Sequence, residues 1–134
     1  MTSEIFADTS ALYALLDRND RVHRAAATVF DRLDPESSQL VTTSYVVLET
    51  VSLVHARIGL AAMRDWRDAF EPLLTIGWIT RELHDRGMVA LTSAAKRQVS
   101  LTDWTSFEFM RSRRISKAFA FDPHFREQGF DLLA

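Results

Sequence analysis

Four acidic residues, Asp8, Glu49, Asp103 and Asp122, stand where a carboxylate needs an explanation. Asp8 and Asp122 each follow an apolar stretch that reads as a buried strand. In a parallel sheet both would reach the carboxyl edge, where open α/β folds place their ligands. Asp103 opens a segment of helical periodicity that starts from the same edge. Glu49 lies one turn into a helix between Val46 and Leu53, an apolar setting in which an isolated charge is costly. No lysine or arginine stands between these acids in an obvious way, so a divalent cation is the simplest neutralising partner. All-oxygen ligation favours Mg²⁺ or Mn²⁺, the ions that pair with substrate phosphates. The chemistry to expect is hydrolysis of a phosphodiester by metal-activated water, with no covalent enzyme intermediate.

Each acid also has a plainer reading. Asp8 and Asp103 are good helix N-caps, Asp122 before Pro123 is a good turn residue, and Glu49 has Arg57 within reach of an ion pair. Their joint placement on one expected edge sets the metal reading apart.

The elements that must deliver these acids alternate strand with helix. A strand over residues 4–7 leads into a helix beginning at Asp8-Thr9-Ser10, and a second helix is predicted over 20–33 from its apolar spacing. A strand over 39–43 precedes a helix capped by Ser44 and stopped by Gly59. Another helix, with Met63, Trp66 and Phe70 on one face, runs to Pro72. Next come a strand over 73–80, a helix over 82–97 weakened by Gly87, the helix at Asp103, a strand over 117–121 ending against Asp122, and a short strand over 129–133. The pattern predicts one α/β domain over residues 1–134, with a mainly parallel sheet of about five strands covered on both faces.

Composition narrows the choices. The chain of 134 residues contains no cysteine, which excludes disulfides, iron–sulfur clusters and thiolate zinc sites. No apolar run approaches the ~18 residues a membrane span needs, and the first residues do not read as a secretion signal, so a cytoplasmic protein is expected. A formal net charge of −2 means that a nucleic-acid substrate would have to be held by local basic patches or bound cations.

Four stretches carry a family resemblance: FADTSALYALLDRND around Asp8, VTTSYVVLET around Glu49, SLTDWTSFEFMR around Asp103 and AFAFDPHFREQGF around Asp122. In order and spacing they resemble the VapC branch of the PIN-domain family. The resemblance implies a three-layer α/β/α sandwich and a Mg²⁺- or Mn²⁺-dependent endoribonuclease toxin of a type II toxin–antitoxin system. It also implies a cognate VapB antitoxin, a homodimer, and transfer or ribosomal RNA as substrate, with transfer RNA slightly preferred. Carried over by residue, it makes Asp8, Glu49, Asp103 and Asp122 the metal-binding and catalytic acids, supported by the hydroxyls of Thr9, Ser10 and Ser106. Ser106 stands where some PIN branches place a further acid, which leaves open whether a second metal is held.

Other residues carry weaker signals. Arg111, Arg113, Arg114 and Lys117 form the densest basic stretch, read either as RNA phosphate contacts or as cations complementing a helix C-terminus. Met63, Trp66 and Phe70 fit a partner contact or ordinary core, with core the better reading. Of His55, His84 and His124, only His124 lies near an acid of the quartet. The sequence also admits three alternatives: a PIN nuclease of RNA processing without antitoxin, a non-catalytic interaction domain, and a phospho-acceptor or phosphatase. The last is weakened because Asp8 is followed by Thr9 and not by a second acid.

Overall fold

The structure, a computed structural model, describes residues 2–94 and 96–133. Strand β1 (Ser3–Ala7) has Ile5, Phe6 and Ala7 all buried, as a strand covered on both faces requires. It lies at the centre of a five-stranded, wholly parallel sheet with β2 (Ser38–Thr43), β3 (Leu74–Gly77), β4 (Lys117–Phe119) and β5 (Asp131–Leu132), in the order β3-β2-β1-β4-β5. Helices α1 (Thr9–Leu16), α2 (His23–Arg32), α3 (Ser44–Arg57), α4 (Leu60–Asp65), α5 (Arg81–Ala94), α6 (Leu101–Arg113) and α7 (His124–Glu127) connect the strands, giving the predicted three-layer α/β/α sandwich. Phe6, Val41, Phe107, Met110, Phe119 and Phe125 form the solvent-free centre of the core.

The strand order fixes where a ligand belongs. From β1 the chain winds outward through β2 to β3, then returns to the other side of β1 for β4 and β5. The winding therefore reverses between β1 and β4. Crevices beyond the carboxyl ends of strands at such a reversal are the usual binding places of open α/β sheets. Register puts Ala7 beside Phe119, so Asp8 emerges from β1 at this crevice.

Several boundaries differ from expectation. Helix α2 starts at His23 and not at residue 20, because the Asp20 carboxylate accepts the Val22 N–H and holds that segment in a turn. Thr43, not Ser44, caps α3 by accepting the Val46 N–H. The Ser44 hydroxyl accepts the Ile79 N–H at 2.9 Å instead. The expected helix through Met63, Trp66 and Phe70 is three pieces: α4, a π-helical turn (Trp66–Phe70) and a 3₁₀ turn (Glu71–Leu73). Trp66 is 2% exposed and Met63 and Phe70 pack against the core, which decides for the core reading of that face. Strand β4 stops at Phe119, two residues short, and α7 was not foreseen. Ala95, inside the expected helix over 82–97, lies outside the described residues, as do Met1 and Ala134.

Gly87 is buried in α5 directly against α6, and a methyl group there would collide with the Thr105 side chain. Helix propensity alone predicts that Gly87→Ala stabilises by up to about 1 kcal/mol. The packing reverses the sign. Overpacking costs about 1–3 kcal/mol, so a net loss of stability is expected in chemical denaturation, and a rise in the midpoint would show that α5 and α6 separate freely.

Candidate metal centre

Asp8 is placed by two local rules. It caps α1, its Oδ2 accepting the Ser10 N–H at 3.2 Å and the Ser10 hydroxyl at 2.8 Å, and its own N–H donates to the Phe119 carbonyl of β4. It is 3% exposed, and burial, reinforced by Asp103 and Glu49, pushes its carboxyl up to about 7. Asp103 sits at the third position of α6 and not at its start. Ser100 caps that helix, accepting the Asp103 N–H while Asp103 Oδ2 accepts the Ser100 N–H, a reciprocal capping box. Burial chiefly, then Asp122 and Glu49, raises its pKa as well. Because Asp8 and Asp103 each feel two others of the quartet, the four acids form one electrostatically connected group.

Asp122 does not abut its strand as expected, since Ala120 and Phe121 intervene. The cause is Ser10. Its hydroxyl accepts the Phe121 N–H at 2.9 Å while donating to Asp8, so the chain leaves the sheet at Phe121 and Asp122 turns toward α7. The Asp122 Oδ1 accepts the His124 N–H at 2.9 Å and lies 3.8 Å from the His124 ring. His124 is held above its usual pKa first by a hydrogen bond to Glu127 and further by Asp122. Glu49 is half-buried on α3 and, among the described residues, makes neither a hydrogen bond nor an ion pair. Arg57, the partner in the alternative ion-pair reading of Glu49, instead lies 5.4 Å over the ring of Tyr13.

The hydroxyls divide by task. Ser10 touches Asp8 directly. Thr9 donates weakly to the Val46 carbonyl and accepts from Thr50, tying α1 to the helix that carries Glu49. Ser106 donates to the Thr102 carbonyl at 2.7 Å, so it serves α6 itself and, among the described residues, makes no hydrogen bond to an acid. Ser10→Ala would leave the Phe121 N–H unpaired and Asp8 without its hydroxyl donor. We expect about 1–3 kcal/mol of lost stability in thermal melts, and a wild-type melting temperature would show that this hydrogen-bond pair carries no weight.

The basic stretch is not at this centre. Arg111 reaches Gln128, Arg113 pairs with Glu4 at 2.6 Å, and Arg114 forms the left-handed C-cap of α6 at φ 57°. Lys117 begins β4. Helical rise carries Arg113 about 15 Å along α6 from Asp103, to the opposite edge of the sheet. Two other cations lie nearer the acids: Arg57, read from sequence only as an ion-pair candidate for Glu49, and Arg21, not singled out there, line a cleft of about 410 Å³ that also includes Ser10, Phe121 and Asp122. They are far apart in sequence, and Arg21 stands among charges of both signs over residues 17–24, so neither marks a basic patch.

The donor chemistry fits a hard divalent ion. Among the described residues no arginine or lysine pairs with any of the four acids, and Asp8, Asp103 and Asp122 each keep one carboxylate oxygen without a partner. No three acidic or histidine side chains among them are arranged to close around one ion. Mg²⁺ does not require such a cage, since it usually keeps several waters and takes one or two carboxylates.

Comparison with known proteins agrees with this architecture. The PIN domain profile matches residues 5–131. The chain is 31% identical over 127 residues to the 23S rRNA-specific endonuclease VapC20 of two Mycobacterium tuberculosis strains, CDC 1551 / Oshkosh and H37Rv, covering 94% of this chain and 95% of the relative. The crystal structure of M. tuberculosis VapC20, described as a Sarcin-Ricin loop cleaving toxin, superposes with a TM-score of 0.83 at 31% identity, over 94% of this chain and 95% of that one. With sequence and fold in agreement, the chain belongs to the PIN-domain family and is of the VapC type.

Proposed function

We propose that this chain, as one domain over residues 1–134, is an endoribonuclease toxin that hydrolyses RNA phosphodiester bonds with Mg²⁺ or Mn²⁺ held by Asp8, Glu49, Asp103 and Asp122. The observation that supports the reading is the mutually repelling set of acids near the sheet's reversal point, Asp8 and Asp103 buried and Glu49 and Asp122 half-buried, with carboxylate oxygen left over for a cation. The bound ion would activate water and neutralise charge on the leaving oxygen. Asp8 and Asp103, the most buried of the four, would fix its position, and Glu49 and Asp122 would complete the negative field. Ser10 would keep Asp8 oriented. The 23S rRNA specificity in the relative's name favours ribosomal RNA over the transfer RNA preferred on family resemblance alone. Control by a VapB-type antitoxin, a homodimeric state and a cytoplasmic location complete the proposal; no helix of the described residues is long and apolar enough to cross a membrane.

The test is cleavage of ribosomal RNA by purified protein. Cutting is expected with Mg²⁺ or Mn²⁺, none with EDTA, and none by Asp103→Asn. Cleavage that persists in EDTA, or in the variant, would remove the acids from the chemistry.

A further inference from the structure

Trp78 is 76% exposed, whereas Trp66 and Trp104 are 2% and 7% exposed. It directly follows β3 at the carboxyl edge that bears the acids. Register aligns Gly77 with Thr43, and Thr43 with the residue after Ala7, so Trp78 stands two strands from Asp8 and one residue further out. At the usual strand spacing that is about 10 Å across the sheet, the reach of one or two nucleotides.

The tryptophan is mounted on fixed backbone. The next residue, Ile79, donates its N–H to Ser44 at the start of α3, and Thr80 caps α5 by accepting the Leu83 N–H. Beside Ser44, the Tyr45 hydroxyl and His84 Nδ1 share a 2.6 Å hydrogen bond with their rings edge-on. From Tyr45 a shallow cleft of about 290 Å³, lined by Leu48, Leu101 and Thr102, runs to Glu49. Thus an exposed aromatic surface and an apolar recess lie along one side of the acidic group and lead into it.

We propose that Trp78 and the Tyr45–Leu48 recess bind unpaired nucleobases of RNA flanking the scissile phosphate, with Trp78 as the stacking platform. The inference rests on the nuclease reading for the identity of the phosphate, but the stacking itself does not depend on cleavage. Every base presents a flat face to an aromatic ring, and RNA is most readily read where its bases are unstacked in loops and single strands. A platform of this kind selects single-stranded substrate without requiring a strongly basic surface, which a chain of net charge −2 lacks.

The single exposed tryptophan supplies the readout. In Asp103→Asn protein with Mg²⁺, a short unstructured RNA should quench tryptophan emission saturably, and the same RNA annealed to its complement should do so weakly. In the cleaving protein, Trp78→Ala should raise KM about tenfold with kcat within about twofold, and Trp78→Phe should recover most of the loss. Normal cleavage with no quenching and an unchanged KM in Trp78→Ala would overturn the proposal. So would a change in sedimentation for Trp78→Ala, which would assign the ring to contact with a second copy of the chain. Saturable quenching by single-stranded RNA in a protein that cuts nothing would uphold the platform and defeat the nuclease reading instead.

Discussion

Asp8→Asn is expected to abolish RNA cleavage and yet, without metal at pH 8, to melt at a higher temperature than the wild type. Both effects follow from one carboxyl group. Burial raises the Asp8 pKa from 3.8 to about 7, so the folded protein holds that proton where the unfolded chain has released it. Stability from this group is fully present below about pH 4, is lost progressively as pH rises to about 7, and stays lost above. The difference corresponds to about 4 kcal/mol at most. Asparagine keeps an oxygen for the Ser10 donors and carries no charge, so the variant escapes that loss. Cleavage should fall by about a hundredfold or more, because the most buried carboxylate of the group can no longer oppose a cation's charge.

Three comparisons of melting temperature check it. Metal-free wild type should melt lower at pH 8 than at pH 5, metal-free Asp8→Asn should show a flatter profile, and Mg²⁺ at pH 8 should raise the wild type more than the variant. Asp103, raised in the same direction, keeps some pH dependence in the variant. A variant that melts below the wild type at pH 8, with an unchanged pH profile, would show that Asp8 is not held under strain.

How the acids were legible follows from how each is held. Asp8 was readable because strand, cap and helix are all local: an apolar run, then Asp-Thr-Ser, then helical spacing. Asp103 was located but misassigned within its helix, although Ser100 three residues earlier carries the capping-box signal. The setting of Asp122 was not readable, since β4 is shortened by a hydroxyl 111 residues away in sequence, at Ser10, and nothing local to 117–121 announces it. Gly87 looked like a flaw in a helix because propensity sees only one element; its reason lies across the interface in Thr105. The basic stretch misled for a related reason. It belongs to the helix of Asp103 by sequence, but the length of that helix carries it to the far edge of the sheet. Trp78 looked like one more strand residue until β3 ended at Gly77.

The acidic centre also depends on packing that no acid takes part in, and Phe107→Ala should reveal this. Phe107 lies one turn beyond Asp103 on α6 and is fully buried, edge-on to Trp104 at 5.5 Å and to Phe125 at 5.0 Å, and stacked with Phe130 at 6.0 Å. Phe125 belongs to α7, the helix that follows Asp122, so this ring cluster is the rigid link between the helix of Asp103 and the turn of Asp122. Truncating it should cost about 3–5 kcal/mol, a large share of the roughly 5–15 kcal/mol that holds a domain of this size. The denaturation midpoint should fall accordingly. At low temperature, where the variant remains folded, kcat should still drop, because Asp103 and Asp122 no longer hold a fixed separation and a misplacement of about 1 Å can cost about a hundredfold. Phe107→Leu, which refills most of the space, should restore most of both quantities. If folded Phe107→Ala cut RNA at the wild-type rate, the two acids would have to be positioned by their own hydrogen bonds alone, and the ring cluster would serve stability without serving the site.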